Sequence, residues 1–147
     1  MALRLGEIFI KHNLINTTQL DVALKDQSQN GGFLGEIIVR LGFATEEDLL
    51  KVLAEQFNTH YVTLSNVRIN PVVIKLVPQN LVSEHKFMPI EMRSSIILIA
   101  VSNPLDMWPM SVLQDKLDLS EVQIVLAKKN DILETIKKYY GAETGGM

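Results

Sequence analysis

The strongest constraint on what this chain can fold into is that its N-terminal part is written twice. Residues 4–27 align with residues 33–56 at a fixed offset of 29 positions. Leu5/Leu34, Gly6/Gly35, Glu7/Glu36, Ile8/Ile37, Leu20/Leu49, Leu24/Leu53 and Gln27/Gln56 are identical. That makes seven of 24 positions, where unrelated segments share about one or two. Ile10/Val39 and Lys11/Arg40 keep their type.

Each copy reads as two short helices. The first spans about Leu3 to His12, with Leu5, Ile8 and Phe9 on one face at helical spacing. It should stop at Asn13, and its counterpart at Gly42, because Asn and Gly best tolerate the left-handed conformation that closes a helix. The second helix opens on a capping box in both copies, Asn16 with Gln19 and Thr45 with Asp48. An apolar stripe follows, Leu20, Val22, Ala23 and Leu24 in copy one and Leu49, Val52 and Leu53 in copy two. Gln27 and Gln56 lie two turns beyond Leu20 and Leu49, on nearly the same face. Ser28–Gly32 reads as a five-residue joint, with Asn-Gly-Gly as its turn signal.

Past Gln56 the pattern changes. Tyr61–Leu64 reads as a short strand, Asn70–Leu76 as a helix with Pro71 in its first turn, and Pro78–His85 as another helical turn. Phe87–Arg93 and Ile96–Ser102 form a predicted hairpin around Ser94-Ser95, its second strand apolar on both faces and therefore central. Asn103–Asp106 is a loop, Pro109–Leu117 a helix, and Glu121–Ala127 a strand with Val122, Ile124 and Leu126 inward. Asn130–Tyr140 is an amphipathic helix through Ile132, Leu133, Ile136 and Tyr139, stopped by Gly141. The expected class is α+β: a four-helix tandem-repeat subdomain over 1–58, a small mixed α/β subdomain over 61–141, and a flexible tail over 142–147.

Catalytic apparatus is hard to find. The chain contains no Gly-Lys dipeptide, hence no phosphate-binding loop of the Walker type. His12, His60 and His85 lack metal-ligand spacing, and no serine stands in a nucleophile elbow. Zero cysteines remove disulfide, thiolate-zinc and cysteine-nucleophile chemistry. Glu46-Glu47-Asp48 is best read as dipole compensation in a first helical turn. The formal charge of −3 argues against a duplex-binding face. The uncharged run Ser94–Leu105 contains Asn103 and Pro104 and is too short to span a bilayer. The N-terminus has no signal-peptide core. A cytoplasmic non-enzyme with no metal and no cofactor is the expectation.

The repeat itself is the remaining candidate site. Leucines at helical spacing suit stacked hairpins with no ligand at all. Gln27 and Gln56 fit that reading poorly, since an amide gains nothing on an apolar stripe. Arg4-Leu5-Gly6 also sets a planar, bidentate donor beside a glycine that permits close approach to backbone. Leucines, Arg, Gln and bare amides together suit a flat heterocycle carrying phosphates. Two copies suit a ligand with two bases.

At these residues the sequence resembles the N-terminal domain of type II secretion and type IV pilus assembly ATPases, specifically the MshEN type that binds cyclic di-GMP. The family motif is Arg-Leu-Gly, then Gly, Leu, Leu and Gln at fixed spacing, written twice across a five-residue spacer. Here it stands as Arg4-Leu5-Gly6, Asn13, Leu20, Leu24 and Gln27, then Phe33-Leu34-Gly35, Gly42, Leu49, Leu53 and Gln56. Tyr61-Val62-Thr63-Leu64, Val77-Pro78, Pro89, Asn103-Pro104-Leu105-Asp106 and Tyr139-Tyr140-Gly141 extend the likeness to about residues 3–141.

The resemblance implies that Leu5, Leu20, Leu24, Leu34, Leu49 and Leu53 form an apolar bed for two guanines. It implies that Arg4 contacts guanine or phosphate, that Gln27 and Gln56 supply hydrogen bonds, and that Gly6 and Gly35 present backbone amides. Asp106 would close over the ligand. Three positions depart from the pattern: Asn13 replaces a glycine, Phe33 replaces an arginine, and Asn103 replaces an aspartate. No ATPase module follows the motif, so the expectation is a stand-alone receptor that relays cyclic di-GMP to a protein partner in a secretion or pilus machine. The alternative is a ligand-free adaptor that docks on such components through the same helices.

Overall fold

The computed structural model describes residues 4–105 and 108–141, and their side chains except at 108 and 109. The chain divides into two compact units, Met1–Thr59 and His60–Met147.

The first unit holds four helices: α1 (Leu5–Lys11), α2 (Thr17–Asn30), α3 (Leu34–Arg40) and α4 (Glu46–Gln56). Local chemistry ends α1 and α3 where the two copies predict. Asn13 at φ 58° and Gly42 at φ 80° turn the chain out of α1 and α3. The same closing hydrogen bonds follow in both copies, Leu14 N to Phe9 O and Phe43 N to Ile38 O, each 3.0 Å. Both capping boxes form. Gln19 N donates to Asn16 Oδ1 at 2.8 Å and Asp48 N to Thr45 Oγ1 at 3.1 Å, while the N3 side chains accept from the cap amides in return. These bonds satisfy helix-end donors that would otherwise lack partners.

The joint between copies is shorter than expected. α2 continues through Ser28, Gln29 and Asn30, three residues beyond the point where α4 ends. Ser28 Oγ donates to Lys25 O at 3.0 Å and so stays compatible with helix. The chain leaves α2 only at Gly31 and Gly32, whose φ values of 73° and 97° exclude most other residues.

The copies interlock. α1 packs on α4 and α2 on α3, while α3 also touches α1 and its own partner α4, so the most extensive helix contacts cross between copies. Ile8, Phe9, Ile15 and Ala23 from copy one meet Ile37, Ile38 and Val52 from copy two in one core. Two ion pairs repeat the exchange on the surface. Lys11 on α1 lies 2.9 Å from Glu55 on α4, and Arg40 on α3 lies 2.8 Å from Asp26 on α2. These are the same two repeat positions with the copies swapped.

The second unit builds on a three-stranded sheet, β1 (Met88–Arg93), β2 (Ile96–Val101) and β3 (Glu121–Leu126). The all-apolar β2 is central, antiparallel to β1 and parallel to β3. Helices α5 (Pro71–Leu76), α6 (Gln79–His85), α7 (Trp108–Leu117) and α8 (Lys129–Ile136) belong to this unit. Asn70 caps α5 by accepting from Val72 N. Three expectations are corrected. Tyr61–Leu64 is not a strand: a single bridge joins Tyr61 to Leu126, and the chain then turns tightly through Leu64–Asn66. The last helix widens into a π-turn at Lys137–Gly141. The extra residue shifts the phase, so Tyr140, rather than Tyr139, is buried and donates its hydroxyl to Val77 O at 3.2 Å. Burial pushes that phenol up to about 12. Leu133, expected inward, is 38% exposed. Among the described residues no helix is long and apolar enough to cross a membrane.

Candidate functional site

Arg4, Leu5 and Gly6 and their counterparts Phe33, Leu34 and Gly35 stand at the starts of α1 and α3. Arg4 and Phe33 are the N-cap residues of these helices, and both side chains are exposed. Behind them, Gly6 and Gly35 are buried, and the leucine of the following helix fills the space a side chain would need. A Cβ on Gly6 would stand 2.7 Å from Leu20 Cδ1. One on Gly35 would collide with Leu49 Cδ1 and lie 3.2 Å from Leu5 Cδ2, a side chain of the other copy. The motif glycines therefore set how closely the leucines approach. Leu5, Leu20, Leu34 and Leu49 remain half-buried against the shared core, each leaving part of its side chain at the surface.

The other two leucines separate. Leu24 is 42% exposed, whereas its counterpart Leu53 is buried. Gln27 and Gln56 are half-buried. Gln27 Nε2 donates to Gly32 O at 3.0 Å, so this amide holds the joint from which Phe33 departs. Asn13 and Gly42 close helices and are exposed. Asp106 lies outside the described residues. Asn103, before Pro104, accepts from Leu105 N at 3.0 Å and fixes the loop locally.

Two features escaped the sequence reading. The pair Glu7/Glu36 was visible as an identity but had no role. In the fold Glu7 accepts from Arg4 N at 3.0 Å and caps α1. The exchanged ion pairs were half visible, in Lys11/Arg40, while the matching acids Asp26 and Glu55 drew no notice. Hydrogen bonds from Lys11 and from His12 hold the Glu55 carboxyl below its ordinary value. His12 Nε2 lies 2.7 Å from that carboxylate. Leu41 occupies the corresponding position in copy two.

A surface cleft opens at the joint. Asn30–Phe33, Glu36, Ile37 and Arg40 line it, enclosing about 520 Å³. It offers an aromatic ring, a carboxylate and glycine backbone side by side, the groups that recognise a flat, hydrogen-bonding molecule.

The sequence profile of the MshEN domain matches residues 57–146. The chain belongs to the MshEN domain family. Relatives include the type IV pilus assembly ATPase PilB of Myxococcus xanthus, 30% identical over 145 residues, and PilB of Thermus thermophilus, 27% identical over 139. These alignments take in 99% and 93% of this chain but only 25% and 16% of the relatives' own lengths. The structure of MshE with cdg superposes with a TM-score of 0.83 at 26% identity, over 94% of this chain and 99% of that one. The α+β class of this MshEN chain is therefore shared with a solved relative.

Proposed function

We propose that this MshEN chain is a cyclic di-GMP receptor module, with the tandem-repeat unit as its binding face. The observation that carries the reading is the duplicated motif, whose Gly–Leu packing recurs in both copies and leaves four half-buried leucines beside the N-caps of α1 and α3. MshE, which has the same fold at a TM-score of 0.83, was solved with cdg, cyclic di-GMP. In this reading Leu5, Leu20, Leu34 and Leu49 take the guanines on aliphatic carbon, with Leu24 and Leu53 at the margins. Arg4 pairs with a guanine edge or a phosphate through its planar fork. Gln56 donates or accepts at the rim, and Gln27 adds its carbonyl oxygen while its amide holds the joint. Gly6 and Gly35 let Leu20 and Leu49 lie close against the helix backbone and so shape the apolar bed. Phe33 and Asn13 serve in place of the family's Arg and Gly.

The module's role is to pass the second messenger to a protein partner of a pilus or secretion machine, in the cytoplasm, without chemistry of its own. Support comes from the PilB relatives, whose lengths extend far beyond the matched region. One observation favours the ligand-free adaptor instead: the family profile matches residues 57–146, which begin just after Gln56, the last residue of the tandem motif.

Isothermal titration with cyclic di-GMP, with cyclic di-AMP and GTP as controls, separates the readings. A receptor binds cyclic di-GMP alone, one molecule per chain. Absence of heat and of thermal shift at high ligand leaves the adaptor. Arg4→Ala should cost about 1.5–3 kcal/mol of affinity, as for a charged hydrogen-bond partner. Unchanged affinity would remove Arg4 from the site.

A further inference from the structure

Copy one has little core of its own. α1 packs on α3 and α4 and α2 packs on α3, and the contact of α1 with α2 is slighter than any of these. Phe9 and Ala23 of copy one are fully buried in one cluster with Ile37, Ile38 and Val52 of copy two. The Lys11–Glu55 and Arg40–Asp26 ion pairs also run from copy to copy. None of these contacts requires that the two copies belong to one molecule.

What joins the copies is Gly31, Gly32 and Phe33, all exposed. Gly31 lies at φ 73° and ψ −169°, a region essentially reserved for glycine. Gly32 has a φ of 97°. Among the described residues a Cβ on Gly31 would meet nothing within 4 Å, and one on Gly32 would lie 4.0 Å from Ile37 Cδ1. The backbone angles of the turn demand these glycines, and packing does not. Gln27 Nε2 fastens the turn by donating to Gly32 O at 3.0 Å. Straightened, the stretch from Asn30 to Leu34 spans about 13 Å, more than a helix diameter of about 10 Å.

We infer that the partner this unit accepts is a second copy of the chain, by reciprocal exchange of copy one about the Gly31-Gly32 hinge. In the exchanged dimer each copy one docks on the other chain's copy two and remakes the same core and ion pairs. Each face of Leu5, Leu20, Leu34 and Leu49 is then built by two molecules. The single chain closes on itself because its joint holds copy two at an effective concentration of about 1 mM. Exchange takes over as the protein nears that concentration, or when the turn is strained. Passage between the forms undoes the shared core, so both persist long enough to be separated. The inference stands whether or not the face holds a nucleotide.

The test measures the dimer fraction of the full chain by size exclusion with light scattering. Wild type should be monomeric when dilute and yield a dimer near about 1 mM. Gly31→Ala combined with Gly32→Ala strains the closed turn without a steric clash. Each exchanged dimer releases two such turns, so about tenfold per turn becomes dimerisation about a hundredfold tighter. Four Gly and Ser residues inserted after Gly32 relax the turn and should weaken the dimer about tenfold. A cross-link tells exchange from side-by-side pairing. The chain has no cysteine, so Lys11→Cys, Glu55→Cys and a short bismaleimide tie copy one to copy two. In the exchanged dimer that tie joins two chains and survives denaturing electrophoresis as a covalent dimer. An isolated dimer that runs as cross-linked monomer overturns the inference. So does a folded double-alanine variant that stays monomeric at every concentration. Should that variant not fold, wild type decides, and a chain still monomeric at about 1 mM overturns the exchange.

Discussion

Copy one and copy two of the repeat share a packing scheme and differ at the surface. Inside, the correspondence is close: Gly6 under Leu20 and Gly35 under Leu49, Phe9 and Ile38 fully buried, Asn13 and Gly42 both left-handed. Outside, Phe33 stands where copy one has Arg4, Leu24 is exposed where Leu53 is buried, and α2 runs three residues longer than α4. Duplicated positions that touch both copies have little freedom, because a change must fit the core from two directions. Positions at the N-caps touch solvent and were free to diverge. Asymmetry at the caps is therefore where this module is tuned.

The largest effect should come from the shared core. Phe9→Ala removes a ring with no solvent exposure and should destabilise the first unit by about 3–5 kcal/mol. Its counterpart Ile38→Ala should cost about 2–5 kcal/mol, read from urea unfolding. A loss confined to one copy's helices in hydrogen exchange would break the picture of a single interlocked core. Next come the glycines. Gly35→Ala forces Leu49 to move and presses on Leu5, whereas Gly6→Ala meets Leu20 alone among its nearest neighbours. The expected cost is about 1–3 kcal/mol for Gly35→Ala, and less for Gly6→Ala, whose new methyl meets the flexible end of one side chain. The reverse ranking in thermal unfolding would mean the cross-copy contact carries no weight.

Smaller still is the left-handed closure. Gly42→Ala should destabilise by roughly 1–2 kcal/mol, while Asn13→Gly should be neutral or slightly stabilising. Equal responses would show that Asn13 is held by something other than its backbone angle. The smallest effect is electrostatic. Folding lowers the Glu55 carboxyl through its bonds to Lys11 and His12, so its contribution is present above the ordinary value of 4.5 and is lost as pH falls below it. Glu55→Gln should flatten the stability–pH curve in that acid range, and a curve as steep as wild type would contradict the pairing.

Much of this was legible because duplication converts weak local signals into paired ones. Asn13 alone is an ambiguous stop; Asn13 aligned with Gly42 is a helix end. The capping boxes were visible for the same reason. The exchange of helix partners was not, since a repeat specifies each hairpin but not whether it packs on itself. The length of α2 was misjudged because Ser, Gln and Asn read as turn residues, yet Ser28 folds its hydroxyl back onto Lys25. In the second unit, the alternation of β3 and the apolar run of β2 announced themselves. The π-turn at Lys137–Gly141 left no mark, because one inserted residue changes the phase without changing the composition.

The central claim is that both copies, though unlike at their caps, hold one ligand together. The direct measurement is amide chemical-shift mapping of the isotope-labelled chain during titration with cyclic di-GMP. The account predicts that the amides around Arg4–Gly6 and around Phe33–Gly35 shift along one common saturation curve, reaching its end at one ligand per chain. Shifts confined to one copy, or two curves with different midpoints, would contradict it.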